Sequence, residues 1–114
     1  MRIYYAHSMK IYDTVREKEE LNLIKSMYKD VVNPNGDIRW RGTMDDYYQA
    51  VRESEMVICS EYQGHIGRGV YTEIEEAKRN DIPVVVIRQG KFYPVKDIRI
   101  EDSSDWGIKY GRID

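Results

Sequence analysis

The sequence predicts an α/β protein, a small three-layer α/β/α sandwich around a mainly parallel sheet of four or five strands. Two apolar runs, Met56–Cys59 and Val84–Ile87, have no polar interruption, which is typical of strands buried on both faces. Segments with helical periodicity alternate with the strands, and that alternation predicts a parallel sheet with right-handed crossovers. A chain of 114 residues is long enough for one core, so we expect a single domain over residues 1–114.

The first strand and the first helix have clear signals. Arg2–Ala6 is a short β-like run that ends at His7-Ser8. Thr14 and Glu17 have capping-box spacing, which marks the start of a helix. The apolar residues that follow recur at helical intervals: Val15, Leu21, Ile24 and Tyr28. We therefore expect a helix from about Thr14 to Tyr28.

The next strand and helix are shorter. Val31-Val32 is a brief apolar pair, and the turn-forming segment Asn33–Gly36 ends it. Thr43 and Asp46 repeat the capping spacing at the start of a second helix. That segment has one apolar side, formed by Met44, Tyr47, Tyr48 and Val51.

The second half of the chain repeats the alternation. A loop over Glu61–Gly69 follows the Met56–Cys59 strand, and Pro83 introduces the Val84–Ile87 strand. Between them, a helix is marked at i, i+4 and i+7 by Val70, Ile74 and Ala77. Ile98–Ile100 is a candidate edge strand, and the tail from Trp106 to Asp114 is left unassigned. The arrangement is Rossmann-like or flavodoxin-like.

Composition excludes several classes of function. The net charge is −2, whereas a nucleic-acid or anionic-membrane partner needs a basic face, so we expect neither partner. Cys59 is the only cysteine, which rules out an internal disulfide and a zinc cluster and favours a cytoplasmic location. The N-terminus has no long apolar stretch, so we expect neither secretion nor membrane insertion. We expect no metal and no cofactor.

Ligands of open parallel sheets bind beyond the carboxyl ends of the strands. Three segments fall there: His7-Ser8, Asn33–Gly36 and Glu61–Gly69. Gly67 and Gly69 allow the backbone to approach a ligand, and the helix that follows presents N–H groups to an anion. Arg68 adds a guanidinium that can contact a phosphate through two hydrogen bonds.

Each of these residues also has a purely structural interpretation. A glycine-rich loop before a helix can be only a tight turn. Glu73, in what looks like the first turn of that helix, is favoured there by the helix dipole alone, by roughly 0.3–1 kcal/mol. His7 can be a strand-end residue bonded to backbone, and Asp46 can be a helix-start charge. The combination of Gly67-Arg68-Gly69, the offset of four residues to Glu73 and the preceding buried strand favours a functional site.

The span from Glu55 to Ile87, which contains Gly67–Gly69 and Glu73, resembles the nucleoside 2-deoxyribosyltransferase-like superfamily. This superfamily includes the 2′-deoxynucleoside 5′-phosphate N-hydrolases. Gly69 and Glu73 match the family's glycine and its catalytic glutamate. Ile3–Ala6 resembles the family's first strand, whose tyrosine orients that glutamate; the resemblance gives this role to Tyr4, with Tyr5 as the alternative. His7-Ser8 stands where the family's first loop meets the substrate.

The sequence departs from the family pattern before the glycine. The transferases place an aspartate there, whereas this chain has His65-Ile66-Gly67-Arg68. A glycine and an arginine in place of a carboxylate favour a phosphate, and therefore a nucleotide over a nucleoside. Asp46 lies one residue from the place of a second family aspartate.

The resemblance thus implies an N-glycosidase that cleaves the C1′–N bond of a (deoxy)nucleoside 5′-monophosphate through Glu73. Tyr4 would orient Glu73, and Asp46 would supply the proton to the departing base. His7, Ser8 and Gly67–Gly69 would bind the substrate. The alternatives are a nucleoside 2-deoxyribosyltransferase that exchanges bases, and a non-catalytic nucleotide-binding or signalling module of the same fold. Because the family commonly forms its pocket between subunits and this chain is small and tyrosine-rich, we expect a homodimer or larger homo-oligomer.

Overall fold

The structure is a computed structural model that describes residues 1–38, 43–61 and 66–94. The strands are β1 (Arg2–Ala6), β2 (Asp30–Val32), β3 (Met56–Ser60), β4 (Val84–Arg88) and β5 (Lys91–Pro94). The helices are α1 (Val15–Met27), α2 (Pro34–Asp37), α3 (Asp45–Arg52) and α4 (Arg68–Arg79), with a short 3₁₀ turn over Met9–Ile11.

The five strands form one sheet in the order β2-β1-β3-β4-β5. The first four are parallel, and β5 pairs antiparallel with β4. The order reverses between β1 and β3, so the crevice at their carboxyl ends is the place where this topology binds ligands. The predicted α/β class with a mainly parallel sheet is confirmed.

Alternation along β1 sends neighbouring side chains to opposite faces of the sheet. Tyr4 packs in a buried cluster with Val51 of α3 and Ile74 of α4. Tyr5 packs in a second buried cluster with Ile24 of α1. The sheet therefore has α3 and α4 on the Tyr4 face and α1 on the Tyr5 face, which gives the three layers.

The helix starts differ in how closely they follow the sequence pattern. Thr14 caps α1 as predicted, because its side chain accepts a hydrogen bond from the backbone N–H of Glu17. Thr43 is not the cap of α3; Met44 takes that position without a side-chain bond. α4 begins at Arg68 with Gly67 as its cap, so the loop before it is shorter than expected and Glu73 lies in the second turn.

The edge strand β5 was not predicted. A two-residue turn, Gln89-Gly90, connects it to β4, and both turn residues have positive φ, 50° and 78°. This left-handed conformation suits the tight turn of a hairpin. Ile98–Ile100 and the tail from Trp106 lie outside the described residues. Within residues 1–38, 43–61 and 66–94, no helix has the length and apolar character needed to cross a membrane.

Candidate functional site

A buried tyrosine–glutamate pair joins β1 to α4. The Tyr4 hydroxyl donates a hydrogen bond to Oε2 of Glu73. Tyr4 is fully buried and Glu73 is 5% exposed. Tyr5 points to the other face, where its hydroxyl donates to Oε1 of Glu20 at 2.7 Å. Of the two tyrosines that the sequence offered, Tyr4 is the one that contacts Glu73.

The helix dipole does not explain why a glutamate occupies position 73. Its effect falls off within the first turn, whereas Glu73 is the sixth residue of α4. A buried carboxylate is costly unless hydrogen bonds replace its water. The Tyr4 hydroxyl supplies one such bond, which offsets part of the cost of burying Glu73.

The pair also fixes the protonation state of Tyr4. Burial raises the pKa of the Tyr4 phenol, and the charge and hydrogen bond of Glu73 raise it further, well above its ordinary value of 10.0. Tyr4 therefore remains a neutral hydrogen-bond donor throughout the pH range in which enzymes work. A donor of this kind holds the Glu73 carboxylate in one orientation.

The start of α4 lies one turn from Glu73. Gly67 caps the helix without a side-chain bond to the first N–H groups. A Cβ added to Gly69 would meet no atom within 4 Å. Gly69 is helical, so neither backbone strain nor crowding inside the protein requires a glycine there. At 1.5 Å per residue, Gly69 and Glu73 are about 6 Å apart along the axis.

The two residues after β1 are both buried, in different environments. Ser8 caps the 3₁₀ turn, where its Oγ accepts a hydrogen bond from the N–H of Lys10 at 3.1 Å. His7 lies on the α1 side, stacked on Tyr5 with ring centroids 3.9 Å apart. Its side chain has no exposed surface and lies on the opposite face of the sheet from Glu73. Substrate binding by His7 stays a prediction that this placement does not support.

His7 belongs to a polar network that sequence reasoning missed. Its Nε2 lies 2.7 Å from Oε2 of Glu17, and its Nδ1 lies 3.0 Å from the Tyr5 carbonyl oxygen. Glu17 also accepts hydrogen bonds from the Asn35 side chain and from the backbone N–H of Asp13. The network ties the segment after β1 and the start of α1 to α2.

Hydrogen bonds favour the charged form of Glu17. Burial alone would raise its pKa, but the hydrogen bonds from His7, Asn35 and Asp13 outweigh burial and lower it. The spacing of Thr14 and Glu17 was interpreted as a capping box, in which the Glu17 side chain contacts the backbone of Thr14. The only sequence signal for the actual contact is a histidine at a strand end and a glutamate ten residues later.

α3 packs beside α4, the helix that carries Glu73. Asp46 and Tyr47 are both half-buried there. Burial raises the pKa of Tyr47, and the charges of Glu73 and Asp46 add to the rise. Asp46 is the chain neighbour of Tyr47, and its role as the proton donor stays a prediction. Tyr47 was not predicted as a site residue; its spacing of four from the core residue Val51 was the available signal.

Cys59 is core, as its sequence context indicates. It is fully buried, and burial raises the pKa of its thiol. Among the described residues, no group of three or more histidine, cysteine, aspartate or glutamate side chains could hold a metal ion.

A cleft lies on the opposite face, beside α1. Its volume is about 710 Å³, and its walls carry Arg16, Glu20, Glu61 and Arg88. Arg16 pairs with Glu20 at 3.3 Å, and Arg88 pairs with Glu61 at 2.5 Å. Four of its charged side chains thus form two ion pairs, and the cleft contains none of the predicted site residues.

Comparison with known proteins supports the fold. No protein-family model matches the chain, and no curated protein matches its sequence. The chain is similar to the crystal structure of a conserved protein from Enterococcus faecalis V583, with a TM-score of 0.61 and 20% sequence identity. The match covers 75% of this chain and 62% of that one, so this chain spans less than two thirds of its structural neighbour.

Proposed function

We propose that this protein is an N-glycosidase that cleaves the C1′–N bond of a (deoxy)nucleoside 5′-monophosphate, with Glu73 as the nucleophile. The observation that carries the proposal is the buried hydrogen bond from Tyr4 to Glu73, one helical turn from the glycine-rich start of α4.

The chemistry explains why a carboxylate oriented by a tyrosine suits this reaction. Breaking a C1′–N bond gives the sugar oxocarbenium character, which a carboxylate can stabilise or capture covalently. Burial of Glu73 removes the water that would screen this interaction. Tyr4 donates to Oε2 and so restrains the carboxylate, and in this proposal Oε1 would be the oxygen that meets C1′.

The start of α4 would hold the 5′-phosphate. Backbone N–H groups and the positive end of the helix dipole favour an anion there. Arg68 is exposed at the first helical position, and the open space beside Gly69 leaves room for a phosphate oxygen. Ser8 adds a hydroxyl from the loop after β1. The separation of about 6 Å between Gly69 and Glu73 along the helix suits a ligand with a phosphate at one end and C1′ near the other.

The departing base needs a proton, and Asp46 is assigned this step. Its position at the start of α3, a helix that packs in the same buried cluster as α4, supports the assignment. Water then resolves the sugar intermediate in a hydrolase. A second base resolves it in a deoxyribosyltransferase, which is the alternative outcome of the same first step.

The test is release of free base from a panel of nucleosides, nucleotides and NAD, with and without a second base. Glu73→Gln should lower base release by at least roughly 1000-fold while monophosphate affinity stays within about tenfold, because the amide keeps the shape but not the charge. Glu75→Gln, on the same helix, is the matched control and should retain activity.

Each other result selects a different function. Transfer of the sugar to the second base would make the protein a transferase. Monophosphate binding without any base release would make it a binding module. Unchanged turnover in Glu73→Gln would remove Glu73 from the mechanism, and loss of folding in that variant would identify the Tyr4 pair as structural.

A further inference from the structure

A chain of hydrogen bonds on the α1 face of the sheet holds the Arg16 side chain in place. The Tyr5 hydroxyl donates to Oε1 of Glu20 at 2.7 Å, and Nε of Arg16 donates to Oε2 of the same carboxylate at 3.3 Å. Nη2 of Arg16 donates to Oγ of Ser60 at 3.0 Å. Tyr5, Glu20 and Ser60 are all buried. The guanidinium is therefore restrained by groups rooted in β1, α1 and β3.

This arrangement is more than a surface ion pair. An exposed pair of this spacing needs no buried carboxylate and contributes little to stability. Glu20 is only 8% exposed, and its burial is costly unless hydrogen bonds such as those from Tyr5 and Arg16 replace its water. The Arg16 side chain itself stays 42% exposed. Of its five N–H groups, the bonds to Glu20 and Ser60 use two, and the other three make no hydrogen bond to a described residue.

Arg16 lines the cleft of about 710 Å³ beside α1. This volume falls in the range of about 300–1,000 Å³ that is typical of small-molecule sites. A second restrained cation, Arg88, belongs to the same walls. Its Nε donates to Oε1 of Glu61 at 2.5 Å, and its guanidinium carbon lies 5.2 Å from the centre of the Tyr93 ring. The cleft thus combines the size of a ligand site with two arginines that glutamates hold in position.

The cleft has a cationic end and an apolar end. Arg16 is the second residue of α1, which begins near the carboxyl edge of the sheet because the helix connects the parallel strands β1 and β2. Leu23 lies seven residues later, about 10 Å along the helix axis. It is half-buried and packs against the cluster that contains Ile87, which also lines the cleft. A ligand with an anionic group and an apolar chain of about this length matches both ends.

We propose that this cleft binds an organic anion with an apolar chain, whose carboxylate or phosphate group contacts Arg16 and whose chain lies along Leu23. The buried carboxylates in the walls do not repel such a ligand strongly, because each is paired with an arginine. Glu19, which is exposed and also lines the cleft, opposes the anion and limits its affinity. The site goes beyond the proposed function, since it lies on the other face of the sheet from Glu73.

The first experiment titrates ¹⁵N-labelled protein with four probes that share an eight-carbon chain: octanoate, octyl phosphate, 1-octanol and octylamine. At least one of the two anions should bind roughly tenfold or more tightly than 1-octanol, and octylamine should bind most weakly. The amide shifts should concentrate in α1, at the end of β3 and in the turn after β4. Tighter binding of octanoate identifies a carboxylate ligand, and tighter binding of octyl phosphate a phosphate. Equal affinities for the anions and 1-octanol, or no saturable shift with any probe, would overturn the proposal.

Two charge changes on α1 test the contact with Arg16. Arg16→Gln should weaken the better anion by roughly tenfold or more and leave 1-octanol within about twofold. Lys18→Gln is the control, because it removes the same charge from an exposed position of the same helix that does not line the cleft. Glu19→Gln should tighten the anion by about 2- to 5-fold, a gain that damage to the fold cannot produce. Equal losses for Arg16→Gln and Lys18→Gln would show a general charge effect and overturn the contact.

Tyr5 is a positioning residue in this proposal, because it acts on the ligand through Glu20 and Arg16. Tyr5→Phe should weaken the anion by roughly 3- to 10-fold and leave 1-octanol unchanged, since the apolar part of the cleft stays intact. A merely structural role would weaken both probes alike, and that result would remove Tyr5 from the site. None of these measurements involves base release, so they stand or fall independently of the reaction proposed for Glu73.

Discussion

Replacing Gly69 by alanine should make the protein more stable and its ligand binding weaker. Gly69 is in helical conformation within α4, and an added Cβ would meet no atom within 4 Å. Glycine in a helix is less favourable than alanine by about 0.5–1 kcal/mol, so the substitution should raise the free energy of unfolding by about that amount. For a domain of this size, this corresponds to a Tm increase of about 2–6 °C.

The same methyl group occupies the space assigned to the phosphate. Affinity for a deoxynucleoside 5′-monophosphate should fall at least tenfold, which is about 1.4 kcal/mol, and calorimetry measures it. Gly90→Ala is the control: Gly90 has φ of 78° and also has open space, so alanine should destabilise the hairpin by about 1–2 kcal/mol without affecting the ligand. A Gly69→Ala variant that is more stable and binds as wild type would refute the phosphate assignment.

Four further variants test the two faces of the sheet and the start of α4. Tyr4→Phe should lower the rate of base release by roughly 10- to 1000-fold and reduce stability by about 1–3 kcal/mol, because Glu73 loses a buried hydrogen bond. Tyr5→Phe, which loses only its bond to Glu20, should leave the rate unchanged in the same assay. Arg68→Ala should weaken the monophosphate by roughly 10- to 100-fold in calorimetry and leave the nucleoside almost untouched; equal losses would assign Arg68 to loop structure. The folded-state pKa of Glu17 lies below its ordinary value of 4.5, so its stabilising contribution is complete above that value and is lost as pH falls through the folded pKa. Urea unfolding should therefore show a smaller difference between wild type and Glu17→Gln at pH 3 than at pH 7, and a constant difference would contradict this account.

The parallel core of the fold could be predicted because its signals are local. Uninterrupted apolar runs gave β3 and β4, and the Thr14 cap gave the start of α1 within one residue. The hairpin to β5 was missed because Gln89 occupies a left-handed position that glycine or asparagine usually marks. The start of α4 was placed too late because Arg68 and Gly69 were assigned to the loop.

The candidate site was only partly predictable. Tyr4 and Glu73 are 69 positions apart, and a family resemblance rather than local pattern joined them. The contact between His7 and Glu17 could not be predicted, since strand alternation decides which way His7 points and a shift of one residue reverses it. Tyr47 was assigned to an apolar helix side, where the hydroxyl of a tyrosine is easily overlooked.

The two outer strands of the described sheet affect how readily strands of other chains can pair with it at high protein concentration. β2 has only three residues, and Pro34 follows it closely; β5 begins with Lys91 and ends with Pro94. An incoming strand would find few backbone groups to pair with on the first, and a charge and a missing N–H donor on the second. Neither border is a good template for adding strands from another chain. The sheet is thereby protected against open-ended growth into fibrils, although its central strands are rich in valine and isoleucine.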